Sequence, residues 1–192
     1  HPDLATMLAL VTTDYPLDSG EPADFLRPAV DASFNAISVD GECSTNDSVI
    51  LLANGASGIE RTPATDEQFA LALRRVCAEL ARKIVADGEG ISHLVELRIQ
   101  GAASDADALR IAKAIAHSPL VKTAWAGCDP NWGRIIAAVG YSGAAVDPEH
   151  IDIWFGPLRV CRDGARAVEL DEAAAHDFLK QSEYDLTIQL NL

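Results

Sequence analysis

Apolar positions recur along this chain with two periods, and the switches between them mark out its elements. Positions 8–13 form a short apolar and β-branched run, which predicts a buried strand. From 23 to 36 the spacing turns helical through Phe25, Leu26, Val30 and Phe34, with Ile37 just beyond. Glu21 and Pro22 stand at its start, where a proline is tolerated because its missing N–H would be unpaired anyway. Positions 40–47 are a polar turn, and 49–53 resume as a strand closed by Asn54-Gly55. The strongest helix is expected over 66–86. Thr65 would cap it, with Gln68 completing a capping box. Its apolar stripe is Phe69, Leu73, Val76, Leu80 and Ile84, and Gly88 and Gly90 end it.

Beyond that helix, 94–99 alternate as a half-exposed strand. Ser104 caps a helix running to about His117, where Pro119 blocks continuation. A strand over 121–125 and a short helix over 132–139 are expected next. Positions 151–155 and 158–161 flank Gly156-Pro157, a hairpin signal. A helix near 171–181 and a strand over 184–192 complete the chain. The mixture predicts an α+β fold with mostly antiparallel pairing and a boundary near Ser92, giving parts 1–92 and 93–192.

Charge narrows the function classes. Lys plus Arg number 15 against 29 Asp plus Glu, a net charge of −14. Nucleic-acid binding needs clustered cations, so that class is set aside. An acidic surface is compatible with cationic or amine-bearing ligands, but solubility is the plainer explanation and is preferred. Cys43, Cys77, Cys128 and Cys161 show no paired or zinc-type spacing, so free thiols and no metal are expected. No apolar run reaches membrane-spanning length, and His1-Pro2-Asp3 does not open a signal peptide. The missing initiator Met leads us to expect residues upstream. The last strand ends without a turn, so truncation is expected there.

Four strings are candidates for chemistry. Ala5-Thr6 near the front is a poor signal alone. If the chain is cut before Thr6, however, the new α-amine, with an ordinary pKa of about 7.7–8.0, becomes a base for the threonine's own hydroxyl. The loop 40–47 is dense in donors and acceptors, including Ser44, Thr45, Asn46 and Asp47. It reads either as a pocket lining or as a turn bonding its own backbone. In Asp87-Gly88-Glu89-Gly90 a carboxylate sits between glycines, where backbone bends tightly and a ligand can approach. Glu89 would hold an ammonium group there, or it is simply an exposed acid in a helix-ending turn. Asp129-Pro130-Asn131-Trp132-Gly133-Arg134 reads either as a helix start capped by Asp129, or as a pocket wall including Asn131. Gly140-Tyr141-Ser142-Gly143-Ala144 imitates a nucleophile elbow but lacks the strand before it, so it is read as a turn.

Taken in order, these strings resemble one family. Ala5-Thr6-Met7-Leu8 with Thr12-Thr13-Asp14, Asp40-Gly41 with Ser44-Thr45-Asn46-Asp47, Ala53-Asn54-Gly55, Asp87-Gly88-Glu89-Gly90, Ser118-Pro119-Leu120-Val121-Lys122-Thr123-Ala124 and Asp129-Pro130-Asn131-Trp132-Gly133-Arg134 are similar to the β-chain region of ornithine acetyltransferase, the bifunctional arginine-biosynthesis family. The resemblance covers nearly the whole chain. It implies a layered helix/sheet sandwich of amino-terminal-nucleophile-like type, completed by an α-chain, with a smaller C-terminal α+β part. It implies self-cleavage between Ala5 and Thr6. It further implies a ping-pong transfer of acetyl from N-acetylornithine to glutamate through acetyl-Thr6. Thr6 and Glu89 would contact substrate. No metal or organic cofactor is implied, though acetyl-CoA is a substrate for some members. An α2β2 assembly in the cytoplasm, or in the mitochondrial matrix of a fungus, is the family expectation.

The family's oxyanion Thr-Gly pair, the lysine upstream of the cut and the Asn and Thr at the extreme C-terminus have no counterpart in this chain. As written, Thr6 is the sixth residue and its nitrogen is an amide, so the reading requires cleavage. The alternatives are an amino-terminal-nucleophile aminopeptidase or amidohydrolase, a secondary-metabolism acetyltransferase of the same fold, and a non-catalytic assembly domain.

Overall fold

The computed structural model describes residues 7–191, and the chain divides into two compact units meeting at Glu89 and Gly90. In the first unit, β1 (Leu8–Thr13) pairs in parallel with β2 (Ser48–Ala53), Leu8 opposite Ser48 and Thr13 opposite Ala53. Helices α1 (Glu21–Asp31) and α2 (Pro63–Ala86) supply the rest of the core, in which Ala29, Phe34, Leu51, Leu73, Cys77 and Ala81 are buried. Met7, Ala9, Val11 and Val49 pack against them. The alternation of a strand sends Leu8, Leu10, Ile50 and Leu52 to the other face. There they are 74%, 61%, 48% and 54% exposed.

Two expectations shift in this unit. Helix α1 ends at Asp31 and a separate 3-10 turn, Phe34–Ala36, follows, because Ser33 turns back and its hydroxyl donates to the Ala29 carbonyl at 2.5 Å. Helix α2 starts three residues earlier than expected. Thr62 is the N-cap, Pro63 takes the first helical position, and the reciprocal bonds of the capping box run between Thr62 and Thr65 rather than from Thr65 to Gln68. Val76, assigned to the apolar stripe, is exposed, and Cys77 takes the buried place beside Leu73 and Ala81.

The second unit is built on a five-stranded mixed sheet in the order β3-β7-β4-β5-β6. Its strands are β3 (Leu94–Gln100), β4 (Asp152–Phe155), β5 (Leu158–Arg162), β6 (Ala165–Arg166) and β7 (Glu183–Gln189). β3 and β7 run parallel, while β4 pairs antiparallel with β7 and with β5. Parallel pairing at β1–β2 and β3–β7 corrects the expectation of mostly antiparallel sheets in the first unit and qualifies it in the second. Tyr184, Leu186 and Ile188 of β7 are buried, and Ile153 and Phe155 join them from β4. Helices α3 (Asp105–Ala116), α4 (Pro119–Ala126) and α5 (Trp132–Gly140) add Ile111, Ile115, Val121, Trp125, Ile135 and Val139 to the same core. Helix α6 (Glu172–Phe178) adds Ala175.

The strand expected over 121–125 is helix α4. The Ser118 hydroxyl accepts from the Val121 N–H at 3.4 Å, and Pro119 at the first helical position starts this helix as well as stopping α3. Gly156 in the β4–β5 turn has φ +51°, and a Cβ there would run into the Phe178 ring.

Candidate active site

Ala5 and Thr6 lie outside the described residues, so the site is built from the backbone that follows them. Met7 donates its N–H to Oδ1 of Asp47 at 2.8 Å, and its carbonyl accepts from the Ser48 N–H at 2.8 Å. The second oxygen of Asp47 accepts from the Ser44 N–H at 3.1 Å. Other bonds run within the loop and to its neighbour Ser48. Glu42 N–H donates to the Asp40 carboxylate, Asn46 N–H to the Ser44 hydroxyl, and the Ser48 hydroxyl to the Asn46 carbonyl. Thr45 and Asn46 are exposed and Ser44 is half-buried. Asp47 alone among the four loop residues singled out has a described bond reaching back to the start of β1.

At the other end of the two strands, Thr13 and Asp14 anchor the turn after β2. Asn54 N–H donates to the Thr13 carbonyl at 3.2 Å and Ser57 N–H to the Asp14 carbonyl at 3.0 Å. The Tyr15 hydroxyl donates to Asp66 at 2.6 Å, and the Tyr15 ring stacks on Phe69 with centroids 4.5 Å apart. Arg61 grips Asp66 with two N–H donors at 3.0 Å each and Glu21 with a third at 2.5 Å. The guanidinium bonds hold both carboxyls below their ordinary range, helped at Asp66 by the Tyr15 hydroxyl. Part of the first unit's framework is thus an ion network on α2's first turn.

Glu89 sits in the turn just after α2, exposed, between the C-cap Asp87 and Gly90 with φ +69°. Asn131 lies in the second unit. Its Oδ1 accepts from the Arg134 N–H at 3.2 Å, so Asn131, and not Asp129, is the N-cap of α5, which opens at Trp132 where the short helix was expected. Its Nδ2 donates to Asp129 at 3.0 Å. Asn131, Trp132 and Leu170 are among the residues lining a cleft of about 310 Å³. Arg134 bonds the Leu120 carbonyl at 2.7 Å and the Thr123 hydroxyl at 3.0 Å, tying α5 to α4.

Among the described residues, no group of three or more His, Cys, Asp or Glu gathers to hold a metal. Burial raises the thiol pKa of Cys77, and pushes that of Cys161 up to about 11, so both are poor nucleophiles near neutrality.

All of residues 1–192 match the model of a family described as the ArgJ family. The chain belongs to the ArgJ family. It is 47% identical over 194 residues to the arginine biosynthesis bifunctional protein ArgJ of Symbiobacterium thermophilum, covering 100% of this chain and 48% of that protein. It is 52% identical over 149 residues to the glutamate N-acetyltransferase of Methanocaldococcus jannaschii, covering 78% of this chain and 37% of that one. The fold matches the crystal structure of the arginine biosynthesis bifunctional protein argJ from Bacillus halodurans with a TM-score of 0.92 at 40% identity, over 97% of this chain and 89% of that one. The architecture is therefore the α+β fold of that structure. This chain spans about half the length of the curated ArgJ relatives it matches.

Within an ArgJ chain, the bond from Met7 to Asp47 and the network of Tyr15, Glu21, Arg61 and Asp66 were not legible as local patterns. Their partners stand 40 and 51 residues apart in the chain. The available signal was compositional. Asp47 closes a dense polar string immediately before β2, and β2 pairs in register with the strand that opens behind Thr6.

Proposed function

We propose that the protein containing this chain transfers acetyl from N-acetyl-L-ornithine to L-glutamate in arginine synthesis, by a ping-pong route through acetyl-Thr6. The observation that carries this reading is similarity along the full chain to proteins named as bifunctional ArgJ, and over most of it to one named glutamate N-acetyltransferase. Cleavage between Ala5 and Thr6 frees the amine. That amine takes the Thr6 hydroxyl proton as Oγ attacks the acetyl carbonyl, then returns it to the leaving ornithine nitrogen. Glutamate's amine next attacks the ester carbonyl and leaves as N-acetylglutamate, restoring the hydroxyl. Splitting one hard transfer into two easier ones is the gain of the covalent intermediate.

In this reading Glu89, on a glycine-flanked turn after α2, takes the substrate ammonium group by a charge-assisted hydrogen bond. The donors that stabilise the oxyanion would come from the length of the relatives that this chain does not span. The bare apolar face of β1 and β2 supports a second polypeptide segment, the α-chain of an α2β2 assembly, packing there. No metal or organic cofactor enters this scheme, and acetyl-CoA is an additional acetyl donor to test. The reading places the enzyme in the cytoplasm. Among the described residues no helix is long and apolar enough to cross a membrane.

The test is Thr6→Ala in the complete gene product. Loss of both chain cleavage and glutamate-dependent release of ornithine is expected. An active, acetylatable Thr6→Ala protein overturns the proposal. Release of ornithine at the same rate without glutamate turns it toward a hydrolase.

A further inference from the structure

We infer that Asp47 is a positioning residue for the reaction at Thr6. The inference rests on the reading of Thr6 as nucleophile and adds what holds it in place. Both polar backbone groups of Met7 are taken by consecutive residues of the β2 side: the N–H by the Asp47 carboxylate at 2.8 Å and the carbonyl by the Ser48 N–H at 2.8 Å. Met7 precedes the first residue of β1, and the strand register begins one residue later, with Leu8 opposite Ser48. A side chain therefore takes over the ladder where the backbone pairing stops. Its acceptor is charged, and bonds of that kind are shorter and roughly twice as strong as neutral ones.

Covalent geometry carries this anchor to the preceding residue. The peptide unit from one Cα to the next is planar, and its C–N bond is about 1.33 Å. The N–H that Asp47 holds belongs to the peptide bond joining Met7 to Thr6, so the anchor lies one peptide bond from the candidate nucleophile. Self-activation by one residue's own amine requires close placement, because its amine and hydroxyl must also meet the acetyl carbonyl at attack distance. The second Asp47 oxygen accepts from the Ser44 N–H at 3.1 Å, so both oxygens of this exposed carboxylate are bonded to backbone.

The experiment uses the complete gene product with Asp47→Ala, Asp47→Asn and Thr6→Ala beside the wild type. The number of functional sites is counted as acetylated Thr6 chain by intact mass, and kcat is expressed per acetylatable site. Asp47→Ala is expected to lower kcat per site about 100-fold, the scale of an ångström's misplacement at a reacting centre. The KM for N-acetylornithine should stay within about threefold, because no substrate contact is removed. Asp47→Asn keeps the shape but offers one acceptor to two N–H donors, and about a tenfold loss is expected. A merely structural role would reduce the count of acetylatable sites and leave kcat per site unchanged, which overturns the inference. A raised KM at unchanged kcat overturns it as well. Should Asp47→Ala not fold, the isosteric Asp47→Asn decides alone, and wild-type kcat in that variant overturns it. If Thr6→Ala is inactive while both Asp47 variants turn over normally, this inference fails and the reading of Thr6 stands. An active Thr6→Ala protein removes the reading itself.

Discussion

In the unit from Gly90 onward, β7 runs between β3 and β4, and its inward residues Tyr184, Leu186 and Ile188 are at most 4% exposed. In the unit ending at Glu89, β1 and β2 pair with each other, and among the described residues no third strand joins them. One face of that pair is covered, while Leu8, Leu10, Ile50 and Leu52 on the other are about half to three-quarters exposed. Parallel sheets are normally covered on both faces, and a two-stranded sheet is marginal alone. Four large apolar side chains left in water forgo on the order of 5 kcal/mol of burial. The difference teaches that one unit closes its own core, whereas the other, which leads out of the candidate nucleophile, presents half of an unfinished layer.

The largest expected effect comes from separating the two. A 90–192 fragment should unfold cooperatively in urea as a monomer. A 1–89 fragment without the rest of the protein should show no cooperative transition and should bind a hydrophobic dye. Circular dichroism melts with dye fluorescence check both. A 1–89 monomer melting sharply would break the comparison.

Single substitutions sharpen it. Leu186→Ala opens a cavity beneath β7 and should cost about 2–5 kcal/mol in the 90–192 fragment. Leu10→Ser alters a side chain that is 61% exposed, so within this chain it should cost less than about 0.5 kcal/mol. In the complete protein the same change should cost about 1–3 kcal/mol, if that face is covered there. Urea titrations of the two forms measure the gap. Equal small costs in both would show that the face stays wet.

The same contrast governs what the sequence alone could reveal. β1 was readable as a strand because six consecutive apolar or β-branched residues have few other uses, but not as the buried strand expected, since Leu8 and Leu10 on one face stay exposed; the β4–β5 hairpin was readable because Gly156-Pro157 demands a turn. Helix α4 was not. Val121 and Thr123 favour a strand locally, while Ser118 and Pro119 were read as the end of α3 when they also begin the next helix. The cap of α2 was missed for a related reason. Glu or Gln three residues on is the usual partner, but here the Thr65 hydroxyl takes that place with Thr62. Parallel pairing is hidden from local pattern, since β3 and β7 meet across almost the whole second unit. At the site, local pattern offered Thr6 and Glu89 only beside plain alternatives, and the order of the family's motifs is what favoured them. The anchoring by Asp47 needs a contact spanning 40 residues, which no spacing rule encodes.

The smallest expected effect concerns how the two units hold charge. In the first, Arg61 lowers the pKa of Glu21 and Asp66, so that network contributes stability at pH values above the ordinary carboxylate range and loses it only as acid protonates the lowered groups. In the second, His150 faces Asp147 at 2.8 Å. The hydrogen bond and charge of Asp147 raise the imidazole above its ordinary 6.5, with smaller contributions from Asp163 and Glu149. A raised folded value means that this pair's contribution is full below 6.5 and fades as pH climbs through the raised midpoint. The pair in the second unit therefore titrates above 6.5, and the Arg61 network below the ordinary carboxylate range. Proton NMR of the His150 ring should give a midpoint above 6.5. Asp147→Asn should bring it down without abolishing the residual pull of Asp163 and Glu149. A His150 midpoint unmoved by that substitution would mean that the two units do not differ in this respect, because the pair would then hold no charge that pH can release.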